Sequence, residues 1–211
     1  MIVTLLHHTP LEIADKAIGK CWDKPKEECD VDRIDRVANK HKHSSTIEHI
    51  TYNFDLDGVS RALLQELARH RMANLSVKSS RYTLKELKEQ DRFVHDLTPI
   101  GAIPSEAYNR AKEFLVFTKD DVVNLASIRA LENLRQLIQL GVSNDLAKYC
   151  IPEAYKTSLV WTVNARALQN FLALRTNKAA LWEIRDLAYL IYENLPNDHK
   201  FLFEKNLYKE E

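Results

Sequence analysis

The sequence predicts an α+β fold, a single domain with a small, mainly antiparallel sheet and several helices. Few segments have the composition of strands, whereas most of the chain shows helical periodicity. Strands and helices do not alternate strictly, as they would in a doubly wound parallel sheet. The length of 211 residues and the apolar content of 45% suit one domain, spanning 1–211, with a core of its own.

Three short segments predict strands. Residues 2–8 and 155–163 are rich in β-branched, aromatic and other apolar side chains. The clearest strand precedes the turn at Asp57 and Gly58, because its apolar residues alternate with polar ones. These alternating residues are Ile50, Tyr52, Phe54 and Leu56.

Helical periodicity covers most of the remaining chain. Thr9 as N-cap and Pro10 at the first helical position predict a helix that runs to Trp22. Asp30 predicts the cap of a second helix, and residues 74–82, rich in serine and basic side chains, predict a loop or an irregular strand. The other predicted helices are 30–42, 60–71, a short one from 83, 104–140 with a break near 118–120, a short one from 143, 164–175 and 179–195.

The overall composition excludes several classes of protein. The 30 Lys and Arg residues equal the 30 Asp and Glu residues in number, so we expect no nucleic-acid partner. No apolar run approaches the roughly 20 residues of a membrane span, and the first ten residues lack the pattern of a secretory signal. The cysteines, Cys21, Cys29 and Cys150, form no Cys-x-x-Cys pair, which favours the cytoplasm.

Two stretches are basic and free of acids although the chain is neutral. Residues 67–85 contain five Lys and Arg, and residues 164–182 contain three. Guanidinium groups followed by a serine-rich loop are suited to binding phosphate. The alternative is that cations in the last turn of a helix only interact with its dipole. A phosphate- or RNA-binding protein that uses residues 67–85 is therefore a second functional hypothesis.

The segment 164–175 combines a polar and an apolar helix face. Arg166 and Asn170 are four residues apart and share a face. Arg175 lies seven residues after Leu168, so it continues the apolar stripe. A cation in that position needs an acceptor or anionic partner, unless its head group reaches water.

A histidine-rich segment offers a third hypothesis, a metal hydrolase. It contains His41, His43, Glu48 and His49. His41 and His43 are two residues apart, which places them on different faces of a helix, and no His-Glu-x-x-His motif occurs. We therefore expect no metal site, and roles in a turn, a cap or ligand stacking are the alternatives.

Three ordered blocks in this sequence resemble one family. Arg69-His70-Arg71, followed after seven residues by Ser79 and then by Arg81-Tyr82, resembles the signature of flavin-dependent thymidylate synthases. The segments HSSTIEH at 43–49 and NARALQNFLALR at 164–175 resemble two further blocks of the family. The resemblance covers roughly residues 40–190.

The resemblance implies an activity. Such enzymes methylate dUMP to dTMP, with 5,10-methylenetetrahydrofolate as one-carbon donor and NADPH as reductant through bound FAD. It also implies a homotetramer whose sites are shared between subunits, and the fold of this family.

The resemblance further implies roles for the matching residues. Those expected to contact FAD are Cys21, His43, Ser45, Arg69, His70, Arg71, Asn164, Arg166 and Asn170. Those expected to bind dUMP are Glu66, Arg69, Ser79, Ser80, Arg81, Lys148 and Arg175. Among them Arg81 is expected on the phosphate, and Arg175 on the uracil as the catalytic residue.

Some positions depart from the family pattern. Glu66 stands where Gln is common, and Ala179 replaces a His. Lys148 replaces an Arg, which keeps the charge and loses the bidentate fork. Val77 stands where a Glu is usual, so a contact is expected to be lost, or to be supplied by Lys78 or the backbone.

The chemistry predicted for the uracil is electrostatic. Attack by an enzyme thiol at C6 has no evident actor, because none of the three cysteines lies in the three blocks. Ser79 would need a positioned base to act as a nucleophile. We therefore predict that Arg175 stabilises negative charge developing on the uracil, without an enzyme nucleophile.

Overall fold

The sheet contains four strands in the order β1-β2-β4-β3, where the strands are β1 (Ile2–His8), β2 (Thr51–Ser60), β3 (Ala73–Val77) and β4 (Lys156–Asn164). β1 pairs antiparallel with β2 and places His8 opposite Tyr52. A bulge interrupts this pairing between Leu5 and His7. The computed structural model describes residues 1–24, 27–95, 99 and 103–208.

Helices account for most of the remaining described residues. The α-helices are α1 (Leu11–Trp22), α2 (Val31–Asp35), α3 (Arg61–Leu67), α4 (Ser80–Thr83), α5 (Ser105–Phe114), α6 (Asp121–Gln139), α7 (Asn144–Ala147), α8 (Ala165–Arg175) and α9 (Trp182–Glu193). A π-helical turn at Arg36–Lys40 extends α2. Short 3-10 helices occupy Ser44–Ile47, Leu84–Leu87, Lys148–Cys150, Asn197–Leu202 and Glu204–Asn206. Within the described residues, no helix is long and apolar enough to cross a membrane.

The chain forms two compact units and passes between them four times. The first unit comprises Met1–Asp57, Glu66–Ser76 and Leu159–Glu211. The second comprises Gly58–Gln65 and Val77–Ser158. Neither unit is a continuous segment of sequence. That residues 1–211 act as one catalytic domain stays a prediction.

The core of the first unit contains a row of aromatic rings. Tyr52 stacks on Phe54, and Phe54 stacks on Trp161, with ring centroids 6.2 and 6.1 Å apart. Trp161 in turn lies 5.0 Å from Phe171 of α8. All four side chains are fully buried. The alternation predicted around residue 54 therefore fixes which face of β2 is covered.

The core of the second unit forms around α6. Asp120 caps this helix by accepting hydrogen bonds from the backbone N–H groups of Val122 and Val123. Its apolar stripe packs in a cluster with residues of α5 and with residues of the segment that precedes α5. Buried members of the cluster include Leu87, Phe93, Phe114, Leu125, Ile128, Leu131 and Leu134.

An ion pair inside the first unit joins α1 to α2. The Arg33 guanidinium donates from Nε to one carboxylate oxygen of Asp15 at 2.8 Å and lies 2.6 Å from the other. Its remaining donors bond the backbone carbonyls of Asp15 and Lys24. Both side chains are buried. Because every polar atom is paired, the buried charges can be tolerated.

Most predicted helices and strands are present, although several begin or end at residues other than those predicted. The helix predicted at 104–140 is broken before Asp120 as expected, and Asp30 caps α2 through the Arg33 N–H. The strands predicted at 50–57 and 155–163 are β2 and β4. Asn164 caps α8 by accepting from the Ala167 N–H at 2.8 Å.

Other local predictions were wrong. Thr9 does not cap α1, because its hydroxyl bonds Thr51 at 2.8 Å and the helix begins after Pro10 without a side-chain cap. The helix predicted at 60–71 ends at Leu67. Residues 73–77 form β3, which fits the predicted irregular strand, whereas Ser80–Thr83 is a helical turn. At Thr9 a tertiary partner outside the local window decided where the helix begins.

Candidate functional site

The first unit contains a polar cavity of about 430 Å³, named here the arginine cavity. α8 contributes Arg166 and Asn170, one turn apart, and its cap Asn164. Arg71, from the segment that follows α3, joins them. The complete lining is Glu48, Arg71, Met72, Asn164, Arg166, Ala167, Gln169, Asn170, Ala173 and Asn206. Four residues expected to contact FAD therefore share one cavity, although 93 positions separate the motifs of Arg71 and Asn164.

A short 3-10 helix, Ser44–Ile47, links this cavity to the histidine-rich segment. Arg166 donates from Nη1 to the hydroxyl of Ser44, which is buried. The backbone before this helix is unusual, because Lys42 has a left-handed φ of 58°. Residues held in sparsely populated backbone conformations cluster at functional sites. His43, which follows Lys42, is exposed and precedes the 3-10 helix as its N-cap.

A second cavity of about 480 Å³ lies against the exposed end of α1. Cys21 and Ser45, both expected to contact FAD, line it together with Lys16 and Lys20. The other lining residues are Ile13, Ala17, Thr46 and His49. Two ammonium groups among mainly apolar walls suit a ligand that combines an anionic group with a ring. We name it the lysine cavity.

Arg175, the predicted catalytic residue, has the partners that its position on an apolar stripe required. Nε donates to Nε2 of His70 at 2.8 Å. Nη1 donates to the Glu66 carboxylate at 2.8 Å, and Nη2 to the Glu66 backbone carbonyl at 3.2 Å. The alternative, a guanidinium that reaches freely into water, is excluded because only 15% of the side chain is exposed.

His70 is neutral in this arrangement. Its Nε2 accepts from Arg175, so the ring proton resides on Nδ1. Burial, and secondarily the Arg175 charge, lowers the pKa of His70 to about 4. The imidazole packs edge-on against Phe171, with centroids 5.0 Å apart. His70 thus contacts Arg175, and its expected contact with FAD remains a prediction.

The segment between Arg71 and β3 is sharply bent. Met72 has a left-handed φ of 64°, and its side chain is 75% exposed. A left-handed conformation is uncommon for a residue other than glycine. The bend follows the end of α3 at Leu67, and beside it Arg71 lines the arginine cavity while Arg69 pairs with Glu66 at 3.5 Å.

The remaining residues expected to bind dUMP lie in the second unit. Ser79 is the N-cap of α4, and Ser80 begins that helix. Arg81 donates from Nε to Asp145 at 2.6 Å, and the side chain of Asn144 donates to the Arg81 carbonyl at 2.7 Å. The first turn of α7 therefore holds Arg81 at two points, and Lys148 follows at the end of this helix.

Carboxylates from outside the basic stretch 67–85 neutralise much of it. Arg69 pairs with Glu66, and Arg81 pairs with Asp145. Lys78 lies 3.4 Å from Glu86, which also accepts from the Tyr155 hydroxyl. This pairing disfavours the RNA-binding hypothesis, because binding along an RNA backbone depends on many cations that are free to neutralise successive phosphates. It also pairs Lys78 with Glu86, and Lys78 was one of the alternatives for supplying the missing Glu contact.

The metal-hydrolase hypothesis has no support in the part of the chain that the structure describes. Those residues contain no group of three or more His, Cys, Asp or Glu side chains arranged to hold a metal ion. The rings of His41 and His43 are 6.4 Å apart and tilted, and His49 lines the lysine cavity.

The sequence motifs missed several residues around these sites. Ser44 is the partner of Arg166, Asp145 is the partner of Arg81, and Asn206 lines the arginine cavity. Asn206 is near the C-terminus, outside every motif, and no local signal marks it. Ser44 could have been found, since it lies inside the HSSTIEH block.

Comparison with known proteins decides the family. The Thy1 family model, thymidylate synthase complementing protein, matches residues 4–198. The flavin-dependent thymidylate synthase of Wolinella succinogenes is 56% identical over 208 residues, covering 96% of this chain and 97% of the relative. A crystal structure of flavin dependent thymidylate synthase ThyX from Helicobacter pylori, complexed with FAD and dUMP, has a TM-score of 0.91 and 50% identity, covering 99% and 100% of the two chains.

The chain belongs to the flavin-dependent thymidylate synthase family. The family and the α+β fold that the sequence predicted are thereby confirmed. The curated Campylobacter jejuni flavin-dependent thymidylate synthase, 50% identical over 215 residues, covers the whole of this chain. The roles of individual residues are not decided by these similarities and stay predictions.

The donor set of the arginine cavity fits the cofactor of a flavin-dependent thymidylate synthase. FAD carries two phosphates, sugar hydroxyls and two ring systems. Arg71 and Arg166 supply cationic donors for a phosphate. Glu48 and Asn170 can bond hydroxyl groups. The volume also lies in the range of about 300–1,000 Å³ typical of small-molecule sites.

Proposed function

We propose that this chain methylates dUMP to dTMP with FAD as cofactor, 5,10-methylenetetrahydrofolate as one-carbon donor and NADPH as reductant. The observation that carries the proposal is the arginine cavity, which brings Arg71, Asn164, Arg166 and Asn170 together. Family membership supports the same conclusion. FAD, when bound, relays reducing equivalents to the transferred one-carbon unit.

Arg71, Asn164, Arg166 and Asn170 are proposed to hold FAD in the arginine cavity. Cys21 and Ser45 are proposed to contact it from the lysine cavity, where Lys16 and Lys20 add positive charge. His43, Arg69 and His70 complete the proposed FAD set.

Arg175 is proposed to activate the uracil. A carbanion-like C5 requires that negative charge on the ring be stabilised, and a guanidinium held in fixed geometry does this without reorganisation. Three hydrogen bonds to His70 and Glu66 hold Arg175 in place. Because His70 is neutral, it adds no second cation that would repel Arg175. Glu66 and Arg69, both assigned to dUMP, flank this group.

The phosphate of dUMP is proposed to bind Ser79, Ser80, Arg81 and Lys148. The Nε of Arg81 is taken by Asp145, and this leaves the terminal fork of the guanidinium for a phosphate. Two serines at the start of α4 supply hydroxyl donors. Lys148 adds a second cation at the end of α7.

No side chain is proposed as a covalent nucleophile. In the described structure, no histidine or carboxylate bonds the hydroxyl of Ser79. The backbone carbonyl of Ser79 accepts hydrogen bonds from the Tyr82 and Thr83 N–H groups. Burial raises the pKa of the Cys29 thiol, and the Asp15 carboxylate raises it further. A thiol with a raised pKa is a poor nucleophile.

A homotetramer with shared sites is proposed as the working assembly, in the cytoplasm. Large apolar side chains exposed on the second unit support an interface, among them Leu140, Leu146 and Tyr149. The three free cysteines support a reducing compartment. Sedimentation at micromolar concentration with FAD should give four chains per particle, and a monomer would contradict the shared sites.

The visible absorbance spectrum provides the first test of the function. The purified protein is incubated with excess FAD and desalted, and it should retain a flavin spectrum shifted from that of free FAD. NADPH should then bleach the bound flavin, and dTMP should form once dUMP and methylenetetrahydrofolate are added. A protein that stays colourless with and without dUMP would refute the proposal.

A further inference from the structure

Glu66 bridges two arginines of the first unit. One carboxylate oxygen lies 2.8 Å from Nη1 of Arg175, and the other lies 3.5 Å from Nη1 of Arg69. The same residue accepts from Nη2 of Arg175 through its backbone carbonyl. Glu66 therefore contacts both terminal nitrogens of the Arg175 guanidinium, one with its side chain and one with its backbone.

The hydrogen bonds of Arg175 leave part of the guanidinium available. The group has five N–H donors. Nε is taken by His70, and Nη1 and Nη2 each give one donor to Glu66. The two remaining N–H groups, one on each terminal nitrogen, have no partner in the described structure. A planar group anchored at all three nitrogens holds its remaining donors in fixed positions.

We propose that Glu66 is a positioning residue, which orients Arg175 toward the uracil in addition to its proposed contact with dUMP. This inference rests on the proposed function. Misplacing a reacting group by about 1 Å can cost roughly 10²-fold in rate. The backbone anchor remains in any Glu66 variant, so loss of the side chain loosens Arg175 without releasing it.

The length of the side chain at position 66, and not its charge alone, determines how well it positions Arg175. Gln has the same length and keeps an oxygen acceptor for Nη1, although it removes the negative charge. Asp keeps the charge, although its carboxylate is one methylene further from Arg175. Positioning therefore predicts that Glu66→Gln is closer to wild type than Glu66→Asp. A purely electrostatic role predicts the opposite order.

Steady-state kinetics of dTMP formation test the inference. Glu66→Ala should lower kcat at saturating dUMP about 10- to 100-fold, while the bound-flavin spectrum changes little. Glu66→Gln should stay within about fivefold of wild type, and Glu66→Asp should fall between Gln and Ala. Glu106→Ala is the control, because it removes an exposed carboxylate from the Arg110 ion pair in the second unit.

A double-mutant cycle separates positioning from a general structural effect. If Glu66 acts only through Arg175, the Arg175→Ala and Glu66→Ala double variant should be no slower than Arg175→Ala alone. Additive losses would overturn the inference. It would also be overturned if Glu66→Ala raised KM for dUMP at unchanged kcat, because Arg175 would then keep its orientation without Glu66. A wild-type protein that forms no dTMP refutes the proposed function, and with it this inference.

Discussion

Nε of Arg175 donates a hydrogen bond to Nε2 of His70 at 2.8 Å, and the two residues lie 105 positions apart in the sequence. This bond requires an unprotonated Nε2, so the orientation of the predicted catalytic arginine depends on the charge of a histidine. Both side chains belong to motifs that the sequence marked for different ligands. Their contact therefore links the expected FAD motif to the expected uracil-binding residue.

The His70 pair predicts a loss of activity in acid. Protonation of His70 would remove the acceptor for Arg175 and place a second cation beside it. Because the pKa of His70 is lowered to about 4, kcat should fall as pH drops toward 4. His70→Gln keeps an acceptor that cannot titrate, so the kcat of this variant should not show the fall toward pH 4. An identical pH profile for the variant would refute the assignment.

The same pKa predicts a pH-dependent stability. The unfolded chain takes up a proton near pH 6.5, whereas folded His70 does so near 4, so the unfolded state binds more protons between these values. The free energy of unfolding should therefore decrease as pH falls from about 6.5 to 4. Urea denaturation of wild type and His70→Gln at several pH values measures the difference. The variant should show the shallower slope.

Arg175 and Ser79 should respond oppositely to truncation. Removing one preorganised donor to a developing negative charge typically costs about 10²–10³-fold in kcat. Arg175→Ala should show a loss of this size in dTMP formation, measured with FAD bound. Ser79→Ala should keep measurable turnover, with its main effect on KM for dUMP. The reverse pattern would make Ser79 the nucleophile and contradict electrostatic activation.

Arg166 should control the affinity for FAD. Hydrogen bonds to charged groups contribute about 1.5–3 kcal/mol, equivalent to roughly a 10- to 100-fold change in Kd. Arg166→Ala should therefore weaken FAD binding by at least tenfold in a fluorescence titration, and Ser44→Ala should weaken it less. Arg185→Ala is a matched control, because Arg185, on α9, donates to the Lys178 carbonyl and lines neither named cavity. Equal weakening in the control would indicate a general loss of structure.

The ion pair between Asp15 and Arg33 should dominate the local stability of α1 and α2. Breaking a buried pair by removing one partner costs about 3–5 kcal/mol, because the other charge stays buried. Asp15→Ala should lower the free energy of unfolding by that amount in urea. The exposed pair of Glu106 and Arg110 gives the comparison, since Glu106→Ala should cost less than about 1 kcal/mol. Equal costs would show that Arg33 finds other partners.

The sequence predicted the elements of this fold better than their ends. Alternation around Phe54 and the cap at Asp30 are local signals, and both elements formed as expected. Thr9 has an equally good local signal, yet its hydroxyl bonds Thr51, 42 residues away. A window of ten residues contains no information about such a partner.

In the candidate site, too, local signals were predictable from the sequence and distant partners were not. Helical spacing was sufficient to place Arg166 and Asn170 on one face, and the buried stripe was sufficient to require a partner for Arg175. The identity of that partner, Glu66, depends on contacts inside the first unit between residues 109 positions apart. Asp145 was not predictable for the same reason, because nothing near it in sequence indicates Arg81.

The π-helical turn at Arg36–Lys40 constrains how this chain can change in length. Within it the His41 N–H reaches back five residues, to Arg36, and the His43 N–H bonds Val37. Deleting one residue would favour an ordinary α-helical turn and rotate all that follows by about 100°. Ser44 would then leave Arg166. Functional chains of this kind should therefore tolerate substitutions between Asp30 and Ser44 more readily than insertions or deletions there.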